Sequence, residues 1–281
     1  LSGHRNLIFN KQNLTTKISD DFLNKGQNFL KKIGINNSDK IILLYVRDGS
    51  YLKKKFPKKN FEYHNYRDCD INNFIPAAKA AIKKGYYIFR MGEVVEKKID
   101  INDEKFIDYS NLYRSEFLDV YLSYRCSFII STGAGFDSLA AVTFRKPILS
   151  VNAIPINEIV LHPCEQMIYS FKHHYDNVKK KYLSINKIFE LNLNDVYNSN
   201  EFSNNNILLE ENNSEDIENM VLDFIEMQES PTKLEKVENL LQKKMNNILL
   251  NNLNLDKDFK GFKSRISKIF IEKYNYLIID E

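Results

Sequence analysis

The run Phe128-Ile129-Ile130-Ser131-Thr132-Gly133-Ala134-Gly135-Phe136-Asp137-Ser138-Leu139-Ala140-Ala141 has the order of a buried strand, a glycine turn and a helix start. Backbone amides at a helix start lack an intrahelical partner, and the helix dipole adds positive character there. Small residues at Gly133, Ala134 and Gly135 let a ligand approach that backbone closely. The chemistry this points to is the binding of a phosphate or diphosphate by the 131–135 turn. A tight strand-to-helix connection without a ligand fits the same residues.

Cations stand at comparable places elsewhere. Arg47-Asp48 follows the apolar run Ile41-Ile42-Leu43-Leu44-Tyr45-Val46. A guanidinium can fork onto a phosphate or carboxylate. Asp48 is a candidate to take a proton from an attacking hydroxyl; an internal ion pair is the alternative. Tyr51 offers a ring to a base or sugar, or fills the loop. Tyr66-Arg67-Asp68-Cys69-Asp70 adds a cation and two carboxylates, with a helix cap as the second reading of Asp70. Arg90 ends the run Tyr86-Tyr87-Ile88-Phe89, immediately before Met91-Gly92. A charge there needs a partner, which is either a ligand phosphate or a neighbouring Asp. Ile107-Asp108-Tyr109 is placed to contact a base or ribose, or is a half-buried strand end.

Other chemistries find little support. Gly133-x-Gly135-x-x-Ser138 imitates a dinucleotide fingerprint but lacks its third glycine. Asn152 ends the next strand where the fingerprint wants an acid. There is no Walker sequence, no HExxH and no GxSxG. Cys69, Cys126 and Cys164 are widely spaced, and His173-His174 would point in different directions, so no metal site is expected. An odd number of cysteines without a CxxC favours free thiols in a reducing compartment.

The elements that must position these groups can be read from apolar pattern and punctuation. Helices are predicted over 19–33, with Gly34 as the stop, over 72–84, capped by Asn72 or Asn73 with Pro76 in the first turns, and near 114–124. Strands are predicted at 41–46, 86–90, 105–107, 127–131 and 147–151, and a helix follows the glycine turn to about Phe144. Strand–helix alternation of this kind argues for an α/β fold, a parallel sheet with helices on both faces. Ligands of such sheets bind beyond the carboxyl ends of the strands, and the polar clusters Arg47-Asp48, Arg90-Met91-Gly92 and Ser131 to Gly135 fall there. After Pro155 the pattern weakens. Residues 192–214 read as loop or insert, and helices are predicted over 215–228, 231–250 and 260–272.

The 281 residues hold one large domain or two small ones, and 43% of them are hydrophobic. A net charge of +3 demands neither nucleic acid nor an anionic membrane. Lys53, Lys54, Lys55, Lys58 and Lys59 cluster after the first strand, as a solvated loop or as a patch facing an anionic lipid or substrate. No apolar run approaches a bilayer span, and no signal peptide is visible. The first residue is Leu1 rather than Met, as expected of a fragment or a processed chain.

Several segments together resemble a family of predicted bacterial glycosyltransferases of surface-polysaccharide loci. They are Tyr45-Val46-Arg47-Asp48-Gly49-Ser50-Tyr51-Leu52, Tyr66-Arg67-Asp68-Cys69-Asp70-Ile71-Asn72-Asn73-Phe74-Ile75-Pro76-Ala77 and Gly85-Tyr86-Tyr87-Ile88-Phe89-Arg90-Met91-Gly92. Ile107-Asp108-Tyr109, Ser131-Thr132-Gly133-Ala134-Gly135 and Pro147-Ile148-Leu149-Ser150-Val151-Asn152 with Pro155 complete the likeness. The resemblance implies a GT-B-like architecture, of which this chain holds chiefly the C-terminal, donor-binding half. Residues 1–230 would be the Rossmann-like nucleotide-sugar-binding domain and 231–281 a C-terminal helical extension. A full N-terminal acceptor domain does not fit before residue 41, so it would be separate or missing.

By the same resemblance the activity is transfer of a sugar from a nucleotide sugar to a glycan or lipid-linked acceptor, with neither metal nor cofactor. Ser131 to Gly135 would touch phosphates, Ser138 would donate to a phosphate oxygen, and Tyr109 would lie near the base, with Tyr51, Asp70, Met91, Gly92 and Asn152 also among the substrate-binding residues. Arg47 and Arg90, helped by Arg67, would neutralise the leaving diphosphate, with Asp48 as general base. The glutamate that holds the donor ribose in many such enzymes is not evident, and Asp137 is a weak stand-in. The expected place is the cytoplasm, with at most peripheral contact at the inner face of the membrane. The rival expectations are a non-catalytic nucleotide-sugar-binding subunit, a pyruvyl or phospho-sugar transferase of the same pathways, and, third, an NAD enzyme.

Overall fold

The computed structural model describes residues 18–162, 164, 166–230, 240–255, 257 and 259–279. Four apolar runs become the centre of one sheet: β1 (Ile41–Tyr45), β2 (Tyr87–Arg90), β4 (Phe128–Ser131) and β5 (Ile148–Ala153). Their side chains are buried on both faces, which is why they read as continuous apolar stretches rather than alternating ones. β3 (Phe106–Ile107), β6 (Met167–Phe171) and β10 (Arg265–Ile266) extend it to seven strands in the order β10-β6-β5-β4-β1-β2-β3. Every pairing in it is parallel. The chain runs outward from β1 to β3, returns to β4, and runs outward the other way, so the order reverses between β1 and β4. This is a Rossmann-like α/β arrangement.

Helices cover the sheet in two groups. Helix Asp20–Lys32, capped by Ser19, packs on helix Glu116–Arg125, capped by Ser115. Helix Ile75–Lys83 packs on Ser214–Glu229, whose Phe224 meets Phe128 of β4 edge to face. Right-handed crossovers require that the β1-to-β2 and β3-to-β4 connections lie on opposite faces. No helix among the described residues is long and apolar enough to cross a membrane.

Several elements differ from the sequence expectation. The helix after the glycine turn is one π-type turn, Ser138–Thr143. Arg145 adopts a left-handed φ of 53°, and Lys146 precedes a proline, which disfavours helical backbone. The polar loop after β1 passes into a short helix, Ser50–Lys55, that carries three of the clustered lysines. The second helix opens with a 3-10 turn, Ile71–Phe74, capped by Asp70 rather than by an Asn. Residues 192–214 are not loop alone. They form helix Ser199–Asn204 and β9 (Ile207–Glu210), which joins β7 (His173–Asp176) and β8 (Lys181–Tyr182) in a small antiparallel sheet. Of the helix predicted over 231–250, residues 231–239 lie outside the described residues, and Leu240–Asn252 is helical. The segment 260–272 gives β10 and helix Lys268–Lys273.

Candidate functional site

The carboxyl ends of β1, β2 and β4 lie side by side where the strand order reverses. Leu44 is in register with Arg90, and Tyr45 with Ser131. The backbone N–H of Arg47 donates to the Thr132 hydroxyl at 2.9 Å, tying the residues after β1 to the turn after β4. Three predicted clusters therefore share one rim, and such reversals are where parallel α/β sheets form ligand crevices.

Two cations on this rim, Arg47 and Arg90, face internal carboxylates. Arg47 is 9% exposed, and its Nη1 engages the Asp68 carboxylate and the His64 carbonyl, the latter at 3.2 Å. Burial lowers the guanidinium pKa and raises that of the carboxyl, while attraction between the two opposes both shifts. Arg67 lies alongside, with Nη2 3.3 Å from His64 Nδ1 and its guanidinium over the Tyr66 ring. Burial, then Arg67 and Arg47, hold the His64 imidazole below its ordinary pKa. Arg90 is 3% exposed, and its Nη1 stands 3.9 Å from Asp108 Oδ2. That Nη1 and Asp108 Oδ1 are both buried without a hydrogen-bond partner. Asp108 is the neighbouring Asp of the sequence expectation.

Two amides of the glycine turn, those of Gly133 and Ala134, face inward. The Ser131 hydroxyl donates to Asp137 Oδ1 at 2.6 Å and accepts the Gly133 N–H at 3.1 Å. Asp137 Oδ2 accepts the Ala134 N–H at 3.0 Å. The turn thus carries its own anion, and burial pushes the Asp137 carboxyl up to about 6 against the pull of these bonds. Of the residues expected to touch phosphates, Ser131 and Thr132 have fully buried hydroxyls, and the Gly133 and Ala134 amides are engaged within the turn. Gly133, at φ 83°, supplies the left-handed turn. Gly135 and Ser138 lie exposed on the outside of the turn.

Other expected site residues take structural places. Asp48 Oδ1 accepts the Ser50 N–H and Oδ2 the Glu96 N–H, each at 2.9 Å, so its carboxylate clamps two loops. The Tyr51 hydroxyl accepts from Lys55 Nζ at 2.7 Å. Asp70 accepts the Asn72 N–H at 3.0 Å and pairs with Lys97 at 2.9 Å. Partial burial raises the Asp70 carboxyl, but the Asn72 amide and Lys97 outweigh it and hold the pKa below its ordinary value. Tyr109 is fully buried, with its hydroxyl 2.7 Å from Asp119, so it packs in the core rather than beside a base. Met91 is buried as well. Gly92 has φ 142°, and a Cβ there would press on Val95 at 2.8 Å. Asn152, fully buried at φ 58°, accepts the backbone and side-chain N–H groups of Asn212 at 2.8 and 2.7 Å.

Sequence reasoning missed the partners that fix this rim. Asp68 was visible beside Arg67 but not as the counter-ion of Arg47. Asp137, only a weak stand-in for a ribose-binding acid in the sequence, fills the turn. Buried Lys172, donating to the Asp68 carbonyl at 2.6 Å, gave no signal because β6 itself was not recognised. Two clefts open beside the end of β1. One of about 230 Å³ is lined by Asp48, Lys53, Asp68, Asp70 and Lys97 among others. The second, of about 380 Å³, has Arg47 and Lys53 in its wall. A larger cleft of about 720 Å³ lies away from the rim, between β8, helix Ile185–Glu190 and Tyr276. Among the described residues no His, Cys, Asp and Glu group is arranged to hold a metal ion. No family model, no curated protein and no solved structure matches the chain.

Proposed function

We propose that this chain is a glycosyltransferase of GT-B type that uses a nucleotide-sugar donor, the donor's diphosphate lying over the carboxyl end of β1. The observation that carries the reading is the reversal of strand order between β1 and β4, with Arg47 seated at that reversal and Arg90 one strand away. Sugar transfer leaves negative charge on the departing diphosphate, and preorganised cations at a partly dry rim stabilise it without reorganising. The acceptor in this reading is a cell-surface glycan or a lipid-linked precursor.

The test is calorimetry with a panel of nucleoside diphosphates, followed by product analysis with the corresponding nucleotide sugars and glycan acceptors. One base is expected to bind preferentially. Arg47→Ala is expected to lower transfer by roughly 10²–10³ while circular dichroism stays unchanged. Full turnover in both Arg47→Ala and Arg90→Ala counts against the reading. A non-catalytic nucleotide-sugar-binding subunit is favoured by one observation: both Asp48 oxygens are engaged by backbone amides. That alternative gives binding with no product.

A further inference from the structure

The lysine cluster after β1 has a place that the rim alone does not explain. Helix Ser50–Lys55 and the loop behind it line, with Arg47, the open cleft of about 380 Å³. Its wall carries Arg47, Lys53, Lys58 and Lys59, with the partly exposed ring of Phe61 among them. Glu62 is the one carboxylate lining it, and this group accepts from the Asn60 side chain at 3.2 Å. No ion pair to Lys53, Lys58 or Lys59 is formed among the described residues. Hydrogen bonds among the described residues engage only Nη1 of Arg47, and a guanidinium has five N–H donors in a fixed fork. The 131–135 turn is different in kind, since Asp137 already fills it. Pockets of roughly 300–1,000 Å³ take ligands of nucleotide size.

We infer that this cleft, and not the glycine turn, is the anion site of the protein: a diphosphate bridges Lys53, Lys58 and Lys59 over the free edge of Arg47. The inference rests on the donor reading above for the identity of the diphosphate. An adjoining base or ribose has the Phe61 ring as an apolar face. The exposed lysines neutralise the anion, and Arg47 keeps Asp68 as its counter-ion underneath.

The full chain is titrated calorimetrically with inorganic pyrophosphate and, separately, with nucleoside diphosphates. The variant K53A/K58A/K59A is compared with K179A/K181A/K187A, which removes the same charge around the distant cleft, and with Gly135→Ala on the turn. Thermal melting confirms that each variant is folded. The expected result is pyrophosphate binding that falls by roughly tenfold or more in the first variant and by less than about twofold in the other two. Absence of pyrophosphate binding to the wild-type chain overturns the inference. Equal loss in both triple variants, or loss in Gly135→Ala alone, overturns it too. Pyrophosphate binding with the expected pattern, but no added affinity for any nucleoside diphosphate, leaves the anion site standing and removes the nucleotide-sugar reading.

Discussion

Buried Arg90 faces the partly buried Asp108, and Arg90 Nη1 and Asp108 Oδ1 have no hydrogen-bond partner. Removing one partner strands a charge, and breaking such pairs costs about 3–5 kcal/mol. Asp108→Ala is therefore expected to lose stability on that scale in urea unfolding. Arg90→Met, which leaves only the less buried carboxylate behind, is expected to lose less. Asp137 predicts a pH dependence. Its carboxyl rises from 3.8 to about 6 on folding, so the folded chain binds the extra proton between those values. Its contribution is fully present below pH 3.8 and is lost as pH rises through about 6, a change on the order of 3 kcal/mol. Asp137→Asn is expected to flatten the stability profile in that window, measured by urea midpoints from pH 3.5 to about 7. At this scale residue types were legible and pairings were not. Arg47 and Arg90 announced charges at strand ends, but their counter-ions, Asp68 and Asp108, lie 21 and 18 positions along the chain. Only the folded connection decides which carboxylate meets which cation.

Helix Asp20–Lys32 approaches helix Glu116–Arg125 through Gly26, where a Cβ would overlap the ring of Tyr121. That ring has little room to move, because it stacks on Phe117 at 6.2 Å and also meets Phe22. Gly26→Ala improves helix propensity by about 1 kcal/mol but forces the two helices apart, and overpacking of this kind costs typically 1–3 kcal/mol. A lower urea midpoint is expected. A midpoint equal to or above that of the wild-type chain would show that the helix pair tolerates a shift. Elements were legible where burial is two-sided, as for β1, β2, β4 and β5, whose apolar runs have few competing readings. They were illegible where strands are short or mixed. β6, read as Met-Ile-Tyr-Ser-Phe, interrupts its apolar run with Ser170, and β9 buries only Ile207. The π-type turn after β4 was missed because its small residues also suit an ordinary helix.

At the scale of the whole molecule the parallel order was implied by alternation, but the closing strand was not, since β10 has two residues and follows a long stretch of weak pattern. That strand binds the end of the chain to its middle. β10 pairs with β6, and the Ser264 hydroxyl donates to the carbonyl of Ile159 at 3.0 Å. Lys273 and Tyr274 both reach the buried carboxylate of Asp216 on helix Ser214–Glu229. A chain ending at Ser230 loses all of these partners at once. It exposes the β6 edge as an open template, and the Asp216 carboxylate loses both of its side-chain partners and its cover together. The buried side chains of Met245, Leu249, Phe270, Ile271, Leu277 and Ile278 are lost as well, a large share of the roughly 5–15 kcal/mol that holds a typical domain together. The shortened chain is therefore expected to unfold at much lower urea than the full chain, without a sharp transition in near-UV circular dichroism, and to associate at micromolar concentration. A shortened chain that keeps the full-length midpoint and slope would mean that the sheet is complete at β6 and that residues beyond 230 are an appendage to it.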